Sequence, residues 1–183
     1  MTLYFVNEEM GFFLKDTLSK LMNKANNESY SEIAITWINY KRVNSTVKGF
    51  GYGINNKLQI YPASIVKLVY ALAIYEWTKT GRILINKEIK EAIYKMLFYS
   101  SNDATSFIVD ILTGTTSGPS LDKRIWENWK YQRNIINDWL KSLNWDELNG
   151  MNCCQKTWED GPFGREKDFY GSRNENINQM STD

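Results

Sequence analysis

The longest apolar stretch of the chain covers residues 61–81, and its only charged residue before Glu76 is Lys67. Pro62 suits the first turn of a helix and Gly81 suits the position just after its end, so the pattern predicts a helix between them. A helix that is apolar on all sides is typically buried. We therefore expect this helix to lie inside its domain, with the Lys67 ammonium group away from bulk water.

Four further segments carry apolar residues at helical spacing and are predicted to form amphipathic helices. They cover residues 10–25, 88–98, 103–112 and 121–143. The first of these helices is expected to end at about Ala25. Asn102 or Asp103 is the expected N-cap of the helix over 103–112.

Aromatic and β-branched residues favour strands over 32–40 and 46–53, and the polar residues 41–45 between them favour a turn. The sequence therefore predicts a two-stranded hairpin. From Asn144 onward the apolar periodicity fades and turn-forming residues accumulate, which is typical of a long loop.

The chain has 183 residues, 43% of them hydrophobic, which is enough for one domain with its own core. We expect a single α+β domain. In it, residues 1–53 form a helix and two strands, residues 54–143 form a helical lobe, and residues 144–183 form a long loop region.

The charge balance argues against two classes of partner. The net charge is +1, from 22 basic and 21 acidic residues, which provides no electrostatic attraction for nucleic acid. No apolar run reaches the ~18 to 20 residues of a membrane span, because Lys67 interrupts the longest candidate. We expect no nucleic-acid partner and no membrane span, and neither property indicates an oligomeric state.

The chain contains no histidine. Serine–histidine triads, cysteine–histidine pairs and metal sites that depend on imidazole are therefore excluded, and we expect no metal and no organic cofactor. The adjacent Cys153 and Cys154 have Cα atoms ~3.8 Å apart, below the ~4.4 Å lower limit of relaxed disulfides. Free thiols are predicted, with a strained redox pair or intermolecular bonding as alternatives. Glu8 and Glu9 stand where an export signal needs an apolar stretch, so no signal peptide is predicted.

Ser64 and Lys67 stand three positions apart at the predicted helix start, and side chains at this spacing share one helix face. A serine hydroxyl is a poor nucleophile until a base removes its proton, and burial lowers the pKa of a lysine toward the range where it can be that base. Helix N-terminal amides can stabilise an oxyanion. The pair indicates acyl transfer. The alternative is a capping serine and a lysine whose stem packs against apolar surface.

The same spacing of serine and lysine occurs at three places, namely Ser45/Lys48, Ser64/Lys67 and Ser120/Lys123. The first pair lies in a predicted turn and strand, where residues three apart do not share a face. The third opens a charged, exposed helix, where a serine is most often a cap. Only the second pair combines a helix start with an apolar setting.

With Ser100 and Asn102, this pair resembles the Ser-x-x-Lys and Ser-x-Asn motifs of class A serine β-lactamases and penicillin-binding D-alanyl-D-alanine peptidases. The resemblance implies that Ser64 is the acylated nucleophile and Lys67 the base. Ser100 would pass the proton to the leaving nitrogen, and Asn102 would bind the substrate amide and orient Lys67. The alternative for Ser100 and Asn102 is a turn and a helix cap.

The resemblance implies the family's α+β fold, with a helical lobe plus an incomplete antiparallel sheet of two N-terminal strands only. The family's third motif, Lys-Thr-Gly, occurs in this sequence only at residues 79–81, at the end of the predicted helix, and no strand that carries it follows the Ser-x-Asn motif, so we expect a C-terminally truncated domain with impaired activity. In class A enzymes a loop glutamate in a Glu-x-x-Leu-Asn pattern activates water for deacylation. The nearest stretch is 145–149, in which Trp145 occupies the glutamate position. Glu147, Asp146 or, more remotely, Glu159 and Asp160 could take the place of this glutamate, so the deacylation base is left unassigned.

The sequence thus predicts a β-lactamase-like serine hydrolase that acts on a small-molecule or peptide-like amide through an acyl-serine at Ser64. One alternative is a D-alanyl-D-alanine carboxypeptidase or transpeptidase-like acyl-transferase. Another is a non-catalytic relic or binding module. Family members are usually periplasmic or secreted, but the sequence does not identify a compartment.

Overall fold

A computed structural model describes residues 4–24, 31–173 and 175–183. These residues form an α+β structure with seven α-helices and a three-stranded sheet, which confirms the predicted class. The strands are β1 (Phe5–Val6), β2 (Ile35–Val43) and β3 (Thr46–Ile54). The helices are α1 (Glu8–Lys24), α2 (Val66–Lys79), α3 (Lys87–Phe98), α4 (Asn102–Thr113), α5 (Lys123–Arg133), α6 (Ile135–Ser142) and α7 (Arg165–Tyr170). Short 3-10 helices cover Ala63–Ile65 and Asp146–Leu148.

The described chain forms two compact units. The first, which we call the sheet unit, contains the described residues up to Gln59 together with Trp145–Asn149 and Ser181–Asp183. The second, the helical unit, contains Ile60–Asn144 and the described residues of Gly150–Met180. It therefore carries α2 to α7.

In the sheet unit, β2 and β3 form the predicted antiparallel hairpin, but β3 also pairs in parallel with β1. The prediction of two antiparallel strands only is therefore wrong, since the sheet is mixed and has the order β1-β3-β2. Strand β1 has two residues, too few to show an alternating pattern. The turn is also shorter than predicted, because β2 extends to Val43 and β3 begins at Thr46. The two residues between them, Asn44 and Ser45, have φ values of 48° and 66°. Two such residues match the twist of a tight hairpin.

Helix α1 packs against β3 through a close approach at Gly11. A Cβ atom on this residue would lie 2.5 Å from the ring of Tyr52, so only glycine fits without a shift. Leu18, one of the predicted apolar positions, is buried. The helix begins two residues earlier than predicted, and Ala25, its predicted end, lies outside the described residues.

One face of helix α2 is buried in the core of the helical unit, and the other face is exposed. Tyr70 and Ala73 are fully buried, and the Trp77 indole donates to the Leu112 carbonyl at 3.1 Å. The side of α2 that carries Leu68, Leu72 and Tyr75 is 58–68% exposed. The expectation of burial on all sides is therefore wrong for this face, because an apolar pattern does not show how many neighbours a helix has.

The predicted helix over 121–143 is two helices, α5 and α6, separated at Asn134. The Asn134 side chain donates to the Lys130 carbonyl at 3.0 Å. An asparagine that bonds to the backbone in this way competes with continuous helix geometry. The apolar periodicity continues through the break, which is why the sequence predicts one helix.

The segment predicted as a long loop contains α7, a helix of six residues that is too short to show a periodic pattern. Glu166 on α7 is fully buried and forms two hydrogen bonds with the fully buried Arg133, at 2.7 and 2.9 Å. Cys153 and Cys154 are free, as predicted, and buried. Burial raises the pKa of each thiol to about 12. Across the described ranges, no helix is long and apolar enough to cross a membrane.

Candidate active site

Two of the predicted site residues, Ser64 and Ser100, lie just before an α-helix, and the other two, Lys67 and Asn102, lie in the first turn of one. Ser64 is exposed in the 3-10 helix that leads into α2, and Lys67 is 2% exposed on α2 itself. Ser100 lies between α3 and α4, and Asn102 is the first residue of α4. All four belong to the helical unit.

The N-cap of α4 is Ser101, whose Oγ accepts a hydrogen bond from the Ala104 amide at 3.2 Å. The prediction of Asn102 or Asp103 as the cap is therefore wrong by one or two positions. This shift has a chemical effect, because Ser101 satisfies the helix end and leaves the Asn102 side chain available for Lys67.

The Lys67 ammonium group joins the two motifs. Its Nζ donates to the Ser100 carbonyl, to Ser100 Oγ at 2.9 Å and to Asn102 Oδ1 at 2.9 Å. Ser100 Oγ donates in turn to Ser64 Oγ at 2.9 Å. The four predicted residues thus form one hydrogen-bonded cluster, in which Ser100 Oγ links the amine to the exposed hydroxyl of Ser64.

Burial lowers the pKa of Lys67 from its ordinary value. The three acceptors are uncharged, and no acidic side chain in the described part of the chain forms an ion pair with this amine. Uncharged oxygens compensate only partly for the hydration that a buried cation loses. The neutral amine, which is the form that can accept a proton, is therefore easier to reach at Lys67 than at an exposed lysine.

Two residues of the site have strained backbone conformations. Ala63, directly before Ser64, has a φ of 46°, and Ser100 has a φ of 54°. Residues other than glycine rarely adopt this left-handed region, and each instance costs roughly 1 to 3 kcal/mol. Local bonds hold both turns, since the Ile65 amide donates to Pro62 at 3.0 Å and the Ser101 amide donates to Lys95 at 3.1 Å. The backbone turns that carry Ser64 and Ser100 are therefore held in rarely populated conformations.

The amides that follow Ser64 are engaged within the same turn. Ile65 donates to the Pro62 carbonyl, and Val66 donates to the Ser64 carbonyl. The oxyanion donors expected from the helix start are therefore not these two groups.

Glu147 is one candidate for the deacylation base, which the sequence leaves unassigned. It lies in the sheet unit, on the 3-10 helix Asp146–Leu148. There it lines a cleft of about 550 Å³ together with Tyr4, Lys57 and Asp183. Its neighbour Asp146 lines the same cleft, whereas Glu159 and Asp160 are exposed on a loop of the helical unit. The structure thus brings together Ser64, Lys67, Ser100 and Asn102, and it places Glu147 in the other unit.

Sequence reasoning missed a second polar cluster in the helical unit, around Lys156. The Lys156 amine lies 2.8 Å from the Asp110 carboxylate on α4 and 2.7 Å from Ser117 Oγ. Ser117 donates to the Glu166 carboxylate at 2.9 Å. These residues come from segments far apart in the sequence, so no local pattern could indicate the cluster. Through these contacts the cluster connects α4, which carries Asn102, with α7.

No protein-family model matches this chain, and no match was found among curated proteins or among solved structures. The resemblance to serine β-lactamases and penicillin-binding peptidases therefore rests on two short motifs and on the geometry of the four residues that carry them.

Proposed function

We propose that this chain is a β-lactamase-like serine hydrolase that reacts with a β-lactam or a related amide through an acyl-serine intermediate at Ser64. The observation that carries the proposal is the hydrogen-bonded path from Lys67 through Ser100 to Ser64. A buried amine, a bridging hydroxyl and an exposed hydroxyl are the groups that a serine needs to lose its proton as it attacks.

The acylation step follows from this path. When Lys67 is neutral, the hydroxyl of Ser100 can donate to its Nζ and accept from the hydroxyl of Ser64. Attack then forms a bond between Ser64 Oγ and the substrate carbonyl carbon, and the Ser64 proton moves through Ser100 to Lys67. The carbon–nitrogen bond of the substrate breaks, and the proton returns through Ser100 to the leaving nitrogen.

Asn102 has an orientation that suits substrate binding. A charged lysine donates hydrogen bonds and cannot accept them. The atom of Asn102 that faces Lys67 is therefore the oxygen Oδ1. The NH₂ group of Asn102 is consequently directed away from Lys67. It can donate to a carbonyl oxygen of an amide substrate.

The proposal is tested by incubating the protein with a labelled penicillin and locating the label by mass spectrometry of its peptides. We expect one label on Ser64, no label in Ser64→Ala, and unchanged labelling in Ser120→Ala, which removes the serine of another Ser-x-x-Lys pair. A label on a different residue, or equal labelling of Ser64→Ala, would contradict the proposal.

A second candidate is an acyl-transferase of the D-alanyl-D-alanine peptidase type. It is favoured because, among the described residues, no carboxylate is hydrogen-bonded to Ser64, Lys67, Ser100 or Asn102 to activate water. The lifetime of the acyl-serine separates the two functions. Release of the label within seconds supports hydrolysis of β-lactams, whereas retention for many minutes supports the acyl-transferase.

A further inference from the structure

The helical unit contains a partly open pocket of about 130 Å³, lined by Gln155, Trp158, Tyr61 and Tyr170 among other residues. Gln155 is 1% exposed, and neither its Nε2 nor its Oε1 has a hydrogen-bond partner among the described residues. The buried indole nitrogen of Trp158 also has no partner within these ranges. Buried polar atoms in native proteins nearly always have partners, so this pocket is built to receive one.

The main chain of Gln155 is fixed from three sides. Its amide donates to Asn178 Oδ1 at 2.9 Å, and its carbonyl accepts from Asn178 Nδ2 at 3.0 Å and from the Tyr70 hydroxyl. These bonds satisfy the backbone and hold the residue in place. The side-chain amide is therefore the part of Gln155 that remains for a ligand.

The pocket borders the segment that carries the candidate nucleophile. Tyr61 lines the pocket and stands three residues before Ser64, and the preceding Ile60 is held by two backbone hydrogen bonds to Met180, at 2.9 and 3.0 Å. Tyr70, which binds Gln155, follows Lys67 by three positions and so shares its face of α2. The lining residue Tyr61 therefore lies within about 10 Å of Ser64 along the backbone, a distance that one extended substrate can span.

The unpaired atoms define the chemistry of the ligand. Gln155 offers a donor and an acceptor on one edge, and Trp158 adds a second donor. A primary carboxamide has its own N–H and C=O on one edge and can form two hydrogen bonds with a glutamine. The pocket volume equals that of about four water molecules in the liquid, which suits such a group but not a whole substrate.

We propose that this pocket binds a primary carboxamide carried by the acyl part of the substrate of Ser64. This inference rests on the proposed function. It assigns Gln155 as a residue that determines specificity, and it leaves the proton path of Lys67, Ser100 and Ser64 as described.

A binding experiment tests the pocket without any reaction. Propionamide is titrated into ¹⁵N-labelled protein, and the side-chain NH₂ signals of Gln155 are identified by their loss in Gln155→Met. We expect these signals to shift with propionamide and not with N,N-dimethylpropionamide, which lacks an N–H donor. Absence of a shift with propionamide would overturn the inference.

A kinetic experiment tests the link to Ser64. The acylation of Ser64 is followed by mass spectrometry with two phenyl esters, those of 4-carbamoylbutanoic and 5-oxohexanoic acid. The second has a methyl group in place of the NH₂ group of the first. The ketone keeps the carbonyl acceptor and lacks only the N–H donor, so we expect the carboxamide ester to react roughly fivefold faster, as one neutral hydrogen bond implies. Gln155→Met should remove this preference. The same substitution at Gln132, a half-buried residue outside the pocket lining, should retain it.

The outcomes separate the two proposals. If both esters acylate Ser64 at the same rate, the pocket holds water only, and the inference falls while the proposed function stands. If neither ester acylates Ser64, both fall. Should Gln155→Met fail to fold, as judged by circular dichroism, Gln155→Glu keeps the shape and removes the donor. Retention of the preference in that variant would also overturn the inference.

Discussion

The helical unit buries two lysines whose partners differ in kind. Lys67 is 2% exposed and donates to three uncharged oxygen atoms. Lys156 is 4% exposed and lies 2.8 Å from the Asp110 carboxylate and 3.6 Å from that of Glu166. Carboxylates stabilise a buried cation by direct charge attraction, whereas uncharged acceptors replace only part of its hydration. The comparison teaches that burial alone does not mark a lysine as a candidate base, and that the charge of its neighbours separates the two lysines.

The largest effect should come from removing the amine that lacks a carboxylate partner. We expect Lys67→Met to slow acylation of Ser64 by about 1000-fold, because a general base contributes roughly 100- to 10,000-fold. The free energy of unfolding should not fall, since the variant no longer buries a cation without an ion pair. Rapid-quench mass spectrometry measures the rate, and urea denaturation measures stability. Full activity in this variant would remove Lys67 from the mechanism.

In the polar cluster around Lys156, a single substitution should lower the free energy of unfolding. Glu166→Ala leaves the fully buried Arg133 without the two hydrogen bonds that it forms with Glu166, and only the bond to Thr115 Oγ1 remains among those described. We expect a loss of roughly 3 to 5 kcal/mol in the free energy of unfolding. The paired substitution of Arg133→Met with Glu166→Leu is the control, because it removes both charges and should recover most of this loss. If Glu166→Ala were as stable as the wild type in urea, the cluster would not hold the fold.

The rate of acylation should depend on pH through Lys67. The pKa of Lys67 in the folded protein lies below its ordinary value of 10.5, because burial disfavours the charged form. Below this folded pKa, the rate of acylation should rise about tenfold per pH unit, as the neutral amine becomes more abundant.

Stability should follow the same titration. Between the folded pKa and 10.5 the unfolded state binds more protons at Lys67, so this residue makes the free energy of unfolding rise with pH in that window. Comparison of wild-type protein with Lys67→Met isolates the contribution. An acylation rate that does not change with pH would argue against a titrating amine.

The smallest effect should come from the cap between Ser100 and Asn102. Ser101→Ala removes the acceptor for the Ala104 amide, which should lower the free energy of unfolding by about 1 kcal/mol. The proton path does not include this hydroxyl, so acylation should change less than threefold. In Ser100→Ala, which removes the bridging hydroxyl, the rate should fall by at least tenfold. Equal effects of the two substitutions on the rate would mean that the turn, and not the bridge, matters.

The sequence predicted the helices that have clear ends. Helix α3 begins one residue before its predicted start, where the Asn86 side chain accepts from the Ile89 amide at 2.8 Å, and it ends as predicted. Helix α4 extends one residue beyond its prediction at each end. Both have an apolar stripe longer than two turns and polar residues at their ends, and these are local properties. Strand β1 and helix α7 are shorter than the patterns that reveal such elements.

Part of the site was also predictable. Ser64 and Lys67 follow from helical spacing, whereas Ser100 and Asn102 were selected by resemblance, and the structure brings all four together. The Arg133–Glu166 pair joins residues 33 positions apart, and the unpaired amide of Gln155 is defined only by what surrounds it in three dimensions. Neither has a local signal. They depend on tertiary packing, which a pattern along one chain does not contain.

The left-handed backbone at Ala63 and Ser100 also bears on the rate of the proposed reaction. Ordering two flexible hydroxyls when a substrate arrives would cost conformational entropy within the activation barrier of every turnover. Here that entropy is lost once, when the chain folds, and the backbone strain at the two residues is a further cost of folding. A site organised in this way gives up some stability so that its groups are aligned before a substrate binds.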